Sequence, residues 1–288
     1  MIIGINGYIG SGKDIVTKMI QYLDLCNKKE VCYPYDHFID DLENNVNIEF
    51  SFGNRIYFQN VKWADKLKDC VCIILGCTRE DLENQEFKNK PLGEEWTVYS
   101  NIHSHRIFDS YDDAYYNAKW VYDNPNAIIK SFQLTPRKIL QLLGTECGRN
   151  IVHPSIWINA TLRNYNEDSK WIISDTRMSN EFDKIKELGG INIRVDRFKL
   201  EQLNENDLKI STFDDTFSVV YSNKHRNLAI ELFKKDYRNS EVYRNIHISE
   251  TTLDYNKFDA YIITNGNLHD LFKEVMILWE NKIKKIMK

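Results

Sequence analysis

The sequence predicts a three-layer α/β fold in which helices cover a parallel central sheet. Three apolar runs have the length and composition of buried strands: Met1–Ile5, Trp171–Ile173 and Ile191–Val195. Apolar residues at helical spacing follow the first two runs, over Ile15–Leu23 and Glu181–Leu188. Strands that alternate with helices are typical of a parallel sheet, because parallel neighbours need a crossover connection.

A glycine-rich segment joins the first predicted strand to the first predicted helix. The segment Gly7-Tyr8-Ile9-Gly10-Ser11-Gly12-Lys13 has the G-x-x-x-x-G-K spacing of a phosphate-binding loop, in which backbone N–H groups turn inward around an anion. We expect its glycines to adopt positive φ angles and to leave no room for Cβ atoms. Lys13 supplies a charge to the terminal phosphates, and the helix N-terminus attracts the same anion. The predicted nucleotide-binding residues are Gly7, Gly10, Ser11, Gly12, Lys13 and Asp14.

The residue after the lysine departs from the usual loop pattern. Asp14 stands where a Ser or Thr hydroxyl normally contacts Mg²⁺. A carboxylate binds Mg²⁺ directly or through water, so the position stays compatible with a metal-bound nucleotide. The alternative is an ordinary glycine-rich turn in which Asp14 only caps the helix.

A second carboxylate follows another predicted strand. Asp175 comes shortly after the apolar run that begins at Trp171. Ligands of open parallel sheets gather at the carboxyl ends of the strands, so we expect Asp175 beside the phosphate-binding loop. Its alternative role is to cap the turn after its own strand.

The composition argues against a protein that coats nucleic acid or a membrane surface. The 288 residues carry 38 Lys and Arg against 42 Asp and Glu, a formal net charge of −4. No apolar run approaches the length of a membrane span, and the chain starts on a predicted strand without a cationic leader. We therefore expect a cytoplasmic protein without membrane or nucleic acid as a partner. The six cysteines lack the spacing of a zinc site, and we expect buried, reduced thiols.

The remaining pattern predicts one domain over residues 1–288. Further strands are expected at Glu30–Tyr35 and Tyr261–Ile263, and further helices at Trp63–Leu75 and Leu268–Trp279. Polar, aromatic or charged stretches interrupt this pattern. They predict three elaborations of the domain, the first two along the rim expected to be the substrate side, at about residues 36–60, 92–133 and 198–245.

One helix is marked at both ends by its sequence. Thr135 is a suitable N-cap, Pro136 suits the first helical position, and Gly144 ends the apolar pattern. The sequence therefore predicts a helix within residues 135–146, with Arg137 in its first turn.

Together these segments resemble the deoxynucleoside monophosphate kinases of bacteriophages and large DNA viruses, a branch of the P-loop nucleoside monophosphate kinases. That family also has Asp after the loop lysine, as Asp14 is here. Residues 198–245 are longer than the family's usual link, and the resemblance gives them no role. The similarity rests on the order and content of Gly7–Asp14, Ala64–Lys68, Thr135–Arg137, Gln141–Glu146, Ile173–Arg177 with Glu181, His247–Glu250 and Ile263–Gly266.

The resemblance implies a P-loop kinase that transfers the γ-phosphoryl group of ATP to the 5′-phosphate of a deoxynucleoside monophosphate, with Mg²⁺. In such a kinase Lys13 and the loop amides hold the ATP phosphates. Asp14 and Asp175 orient Mg²⁺ or its water molecules.

The resemblance also implies roles on the acceptor side. Arg137 and Arg177 grasp the acceptor phosphate or stabilise the transferred group, because a guanidinium meets phosphate through two hydrogen bonds. Lys90 and Gln141 are further candidates for contact with the acceptor.

Several alternatives stay open from the sequence alone. Without a substrate role, Arg137 is a solvated residue of its helix and Arg177 pairs with Glu181. The same core pattern suits another small-molecule P-loop kinase, such as one similar to dephospho-coenzyme A kinase. From a different class, the chain is a noncatalytic nucleotide-binding module. The sequence also leaves a homodimer open.

Overall fold

In the part of the chain that the computed structural model describes, a five-stranded parallel sheet forms the centre. Its strands, numbered along the whole chain, are β1 (Ile2–Asn6), β2 (Gln59–Val61), β5 (Trp171–Ile173), β6 (Ile191–Arg197) and β7 (Ala260–Thr264). They lie in the order β2-β5-β1-β6-β7. The predicted α/β fold with a parallel sheet is confirmed. The structure describes residues 1–8, 10–28, 33–44, 46, 58–101, 107–122, 129–197, 252–254, 256–264 and 267–287.

β1 lies at the centre of the sheet because its side chains are apolar on both faces. Ile2, Ile3 and Ile5 are fully buried, as expected for a parallel strand that is covered on either side. Ile3 pairs with Ile172 of β5 on one side and with Ile191 of β6 on the other. The carboxyl ends of these three strands therefore meet at one edge of the sheet.

Residues Met1–Trp63 and Asn164–Lys288 form a first compact unit, which contains this sheet. Three of its helices share one apolar core with the sheet, through residues such as Met19, Phe38 and Phe272. Shorter helical turns continue the last helix to Ile286. Among the described residues of this unit, the helices are α1 (Lys13–Asn27), α2 (Tyr35–Glu43), α9 (Ser179–Glu187) and α10 (Leu268–Leu278).

Residues Ala64–Arg163 form a second compact unit. It has its own apolar core, which includes Leu67, Val71 and Trp157. The strands β3 (Thr97–Asn101) and β4 (Ile129–Gln133) pair antiparallel. Its helices are α3 (Asp65–Leu75), α4 (Arg79–Glu83), α5 (Gln85–Asn89), α6 (Tyr111–Tyr122), α7 (Pro136–Gln141) and α8 (Ile156–Leu162). A single domain over residues 1–288 stays a prediction.

The helix that begins at Pro136 is longer than its sequence pattern predicts. Its start is confirmed, since the side chain of Thr135 accepts a hydrogen bond from the helix backbone at 3.1 Å. Its predicted end by residue 146 is wrong, because the backbone continues in π-helical form over Leu142–Val152. A Cβ atom at Gly144 would lie 2.9 Å from the side chain of Leu67. This glycine therefore serves close packing rather than helix termination.

Two further expectations need correction. The predicted strand at Glu30–Tyr35 is wrong where the structure describes it, because Pro34 is the N-cap of α2, which begins at Tyr35. Residues 30–32 lie outside the described residues. The elaboration at 36–60 includes β2 and the buried face of α2, so part of it belongs to the sheet and core. The elaboration at 198–245 and the segment His247–Glu250 lie outside the described residues.

The expectations from composition have different outcomes. The cysteines in the described part of the chain are free, as expected. Their predicted burial is wrong, since Cys26, Cys70 and Cys147 are exposed on helix surfaces and Cys72 and Cys77 are only partly covered. Within the described ranges, no helix has both the length and the apolar character needed to cross a membrane.

Candidate active site

The loop between β1 and α1 has the backbone of an anion-binding turn. Gly10 and Gly12 have φ angles of 78° and 94°, in the left-handed region that favours glycine. Gly12 directly precedes the first residue of α1, so the positive end of that helix dipole opens onto the loop. The expected positive φ angles are confirmed for these two glycines.

Gly7 is required for a different reason. Its φ is not positive, which contradicts the sequence-based expectation. A Cβ atom at Gly7 would lie 2.2 Å from the carbonyl oxygen of Val195 and 2.5 Å from Oγ of Ser11. The expectation that a Cβ has no room is therefore confirmed, because β6 packs directly against the start of the loop.

Lys13 folds back over the loop that precedes it. Its Nζ donates hydrogen bonds to the carbonyl oxygens of Gly7 and Tyr8, both at 2.7 Å. These carbonyl oxygens are replaceable partners, since phosphate oxygens form stronger, charge-assisted bonds with an ammonium group. Among the residues that the structure describes, Lys13 has no ion-pair partner that a phosphate would have to displace.

The pKa of Lys13 indicates which charges surround its amine. Burial is the main reason that this pKa falls to about 8, and the positive charges of Arg177 and Arg194 act in the same direction. The carboxylates of Asp14 and Asp175 act against this fall. The charges of Asp14, Asp175 and Arg177 therefore lie close enough to act on the Lys13 amine, and the roles of these residues in the site stay predictions.

The two carboxylates differ in their surroundings. Asp14 lies in the first turn of α1 with 69% of its side chain exposed, and its carboxylate is 3.6 Å from Nζ of Lys62. Asp175 accepts a hydrogen bond at Oδ1 from the backbone N–H of Trp63, at 2.8 Å. Asp175 thus ties the turn after β5 to the segment that follows β2.

The carboxylates fit a metal that arrives with a nucleotide. Among the described residues, no group of three or more His, Cys, Asp or Glu side chains is arranged to hold a metal ion. Mg²⁺ commonly keeps several water molecules and is held by one or two carboxylates together with substrate phosphates. Asp14 and Asp175, close to the phosphate-binding loop, match that pattern.

Glu181 caps the start of α9 at the backbone of Arg177. Its Oε2 accepts hydrogen bonds from the backbone N–H groups of Arg177 at 2.8 Å and Met178 at 3.0 Å. The Glu181 side chain is buried, so this cap fixes the turn between β5 and α9. The contact between the two residues thus runs through the backbone of Arg177, while the Arg177 charge acts on Lys13.

Arg137 lies in the second unit and is held by two uncharged side chains. Its Nε donates to Oδ1 of Asn89 and its Nη2 donates to Oε1 of Gln85, both at 2.7 Å. Arg137 is exposed, but its guanidinium has a fixed orientation. Lys90 directly follows α5 and Gln141 ends α7, and both are exposed.

Comparison with known proteins identifies the family. A family model described as deoxynucleotide monophosphate kinase matches residues 1–212. The chain belongs to this family. The deoxynucleoside-5′-monophosphate kinase of Escherichia phage T5 is 29% identical to it over 209 residues, which are 65% of this chain and 72% of the phage protein. A protein of Acanthamoeba polyphaga mimivirus that carries the name deoxynucleotide monophosphate kinase is 36% identical over 80 residues, or 23% of this chain and 41% of that protein.

Membership of the deoxynucleotide monophosphate kinase family confirms the resemblance inferred from the sequence. It also confirms the predicted class of enzyme, a nucleotide phosphotransferase. The two alternatives, a kinase similar to dephospho-coenzyme A kinase and a noncatalytic nucleotide-binding module, receive no support from these matches.

Sequence reasoning missed residues of this kinase that hold the site in place. Gln85 and Asn89 lie four residues apart on one helix, a spacing that aligns two amides for Arg137. Arg194 was overlooked inside an apolar strand, although an arginine in a buried strand requires polar partners. Its partners include Asp254, which also binds Tyr8 of the loop.

Proposed function

We propose that the chain transfers the γ-phosphoryl group of ATP to the 5′-phosphate of a deoxynucleoside monophosphate and so forms the diphosphate. The observation that carries this proposal is the loop at the end of β1, where Lys13 Nζ lies 2.7 Å from two loop carbonyl oxygens among the charges of Arg177, Asp14 and Asp175. Membership of the deoxynucleotide monophosphate kinase family supports a deoxynucleoside monophosphate as the acceptor.

Lys13 and the loop amides are proposed to bind the ATP phosphates. On binding, the Lys13 amine exchanges the carbonyl oxygens of Gly7 and Tyr8 for phosphate oxygens. The loop N–H groups and the N-terminus of α1 add positive potential at the same place. Phosphoryl transfer needs little covalent work from a protein, so alignment and compensation of charge are the main contributions of these groups.

Asp14 and Asp175 are proposed to hold Mg²⁺ or its water molecules. Held by these carboxylates, Mg²⁺ would compensate part of the charge of the nucleotide phosphates. Asp175 is the better fixed of the two, because its Oδ1 is held by the backbone of Trp63, whereas Asp14 is largely exposed.

Arg137 is proposed to bind the acceptor phosphate, and Arg177 to stabilise the transferred group or the same acceptor. The orientation of Arg137 is set by Gln85 and Asn89, which leave its charge uncompensated. A guanidinium held in this way matches the planar, two-point geometry of a phosphate. Lys90 and Gln141 are proposed as additional contacts for the acceptor nucleotide.

The proposal is tested by incubating the protein with ATP, Mg²⁺ and each of the common dNMPs and NMPs in turn. We expect at least one dNMP to be converted to its diphosphate, with one ADP formed for each diphosphate. Dephospho-coenzyme A is the matched comparison acceptor. Its phosphorylation by well-folded protein that converts no dNMP would overturn the proposed function.

A further inference from the structure

A fully buried arginine lies beneath the phosphate-binding loop. Arg194 of β6 is 1% exposed and is the register partner of Asn6, the last residue of β1. Its guanidinium donates to Oδ1 of Asp196 at 2.8 Å, to Oδ1 of Asp254 at 3.3 Å and to the side-chain oxygen of Asn6. It also stacks on the ring of Tyr8, with 4.5 Å between Cζ and the ring centroid.

Tyr8 connects this cluster to the loop. Its hydroxyl donates to Oδ1 of Asp254 at 2.6 Å, and burial raises the pKa of Tyr8, so the hydroxyl stays protonated and can donate. The backbone carbonyl of the same residue accepts a hydrogen bond from Lys13 Nζ. Tyr8 therefore binds the catalytic lysine through its backbone while Asp254 and Arg194 hold its side chain.

Asn6 extends the cluster to the neighbouring strand end. Its side-chain oxygen accepts from Arg194, and its side-chain nitrogen donates to the carbonyl oxygen of Thr176 at 2.7 Å. Thr176 stands between Asp175 and Arg177. The guanidinium is thus linked, through one amide, to the turn that carries two of the proposed site residues.

Burying an ionic cluster beneath the loop has a large desolvation cost. Taking Arg194, Asp196 and Asp254 out of water costs free energy that well-packed apolar side chains would not. Directional bonds do, however, fix the orientation of the groups they join. One arginine here contacts three separate parts of the chain, and one of its contacts is a side chain of the phosphate-binding loop.

We propose that Arg194 and Asp254 are positioning residues that hold the phosphate-binding loop, through Tyr8, in the conformation that accepts ATP. This inference deepens the proposed function and rests on it. The cluster fixes the side chain of Tyr8, which fixes the carbonyl group beside Lys13. Without this restraint the loop has to be ordered when ATP binds, so affinity for ATP falls. The restraint acts through Tyr8 on the loop that binds ATP, so we expect affinity for the acceptor to stay unchanged.

The test uses Tyr8→Phe, which removes only the hydroxyl and keeps the ring on the guanidinium. Substitution of Arg194 itself is less informative, because it leaves two buried carboxylates without their cation. Tyr22→Phe is the matched control: Tyr22 is also 6% exposed, and its hydroxyl donates to the carbonyl oxygen of Tyr33 at 3.0 Å. Both variants lose the hydroxyl of a buried tyrosine, but only Tyr8 belongs to the loop.

Three quantities are measured for the full-length variants: the Kd for ATP without acceptor, the Kd for the accepted dNMP without ATP, and the unfolding midpoint without nucleotide. We expect Tyr8→Phe to raise the Kd for ATP about 3- to 10-fold and to leave the Kd for dNMP unchanged. Tyr22→Phe should leave both dissociation constants unchanged. Equal ATP affinity in Tyr8→Phe and wild type would overturn the inference, as would equal weakening of ATP and dNMP.

The binding measurement separates this inference from the proposed function. Wild-type protein that binds ATP but phosphorylates no dNMP contradicts the proposed reaction, while the ATP affinity of Tyr8→Phe still decides the role of the cluster. Conversely, normal ATP affinity and normal turnover in Tyr8→Phe would show that the cluster does not position the loop, while the proposed reaction would still stand.

Discussion

The guanidinium of Arg137 is held by the uncharged side chain of Asn89, with 2.7 Å between Nε and Oδ1. Gln85 supplies a second uncharged oxygen at the same distance from Nη2. A carboxylate in either place would compensate the arginine's charge and compete with a phosphate. The two amides instead fix the direction of the guanidinium and leave its charge for an anionic ligand.

Gln85→Glu therefore provides a test of the charge beside Arg137. The substitution keeps the shape of the side chain but adds a carboxylate, so we expect the KM for dNMP to rise about 5- to 10-fold. Gln85→Ala is the comparison, since it removes the hydrogen bond without adding charge and should raise KM less. Steady-state kinetics at saturating ATP separates the two. An unchanged KM in Gln85→Glu would argue that Arg137 does not bind the acceptor.

Arg137→Lys should fail to restore function although it keeps the positive charge. A compact ammonium cannot bond Gln85, Asn89 and a phosphate in the fixed geometry of a guanidinium. We expect a raised KM for dNMP or a reduced kcat, with little change in ATP binding measured alone. If both kinetic parameters equal those of the wild type, Arg137 is only a surface residue of α7.

Lys13→Ala should lower turnover by several orders of magnitude without unfolding the protein. The loss corresponds to about 3 to 5 kcal/mol of transition-state stabilisation, the usual effect of removing a preorganised charge. Burial opposes the charged form of Lys13, so its removal should not lower the unfolding midpoint at neutral pH. Kinetics and a melting curve on the same sample test both statements, and a near-normal kcat would contradict the first.

Binding of ATP should be coupled to proton uptake by Lys13. The pKa of this amine is about 8 in the folded protein, below its ordinary value, so a large part of the population is neutral at pH 8. Bound phosphates favour the charged form and raise the pKa, so about half a proton per site is taken up at pH 8 and much less at pH 6. Without ATP, the same lowered pKa makes folding stability increase as pH rises above 8 towards the ordinary lysine value.

Calorimetry in two buffers with different ionisation enthalpies measures this uptake. The number of protons follows from the difference between the two apparent binding enthalpies at one pH. The Lys13→Ala variant is the control, because it should abolish proton uptake at pH 8 even if it binds ATP more weakly. Equal uptake at pH 6 and pH 8 would be inconsistent with a lowered pKa of Lys13.

Asp14 and Asp175 should together set the Mg²⁺ requirement. Asp175→Asn is expected to raise the Mg²⁺ concentration needed for half-maximal rate, because it removes a carboxylate that is fixed by the backbone of Trp63. Asp14→Thr supplies the hydroxyl of the general loop pattern and should retain measurable activity. The rate is recorded against Mg²⁺ at saturating ATP for both variants. An unaltered dependence in Asp175→Asn would limit Asp175 to its structural contact.

Local patterns made much of the fold predictable from the sequence. The run from Ile2 to Lys13 combines a buried strand, a loop motif and a helix start, and each depends on residues close together in the chain. β2 was missed because Gln59 and Asn60 are exposed at the edge of the sheet and give no apolar pattern. Gly144 was misassigned because the close approach of Leu67, which requires a glycine, is a tertiary contact.

The supporting contacts of the site were beyond sequence reasoning for the same physical reason. Tyr8 and Asp254 are 246 positions apart in the sequence, and Arg194 and Asn6 are 188 positions apart. Neither pair therefore produces a local sequence pattern that would predict the contact. The loop motif marked Gly7 correctly, but packing against Val195, and not a positive φ, explains the glycine there.

Transfer of a labelled γ-phosphoryl group tests the central claim most directly. ATP labelled at its γ-phosphorus is incubated with Mg²⁺ and the accepted dNMP, and the position of the label in the products is determined for wild type and Lys13→Ala. The label should appear at the β-phosphorus of the deoxynucleoside diphosphate with the wild type and be almost absent from it with Lys13→Ala. Label found only in inorganic phosphate, or transferred equally well by both proteins, would contradict the account.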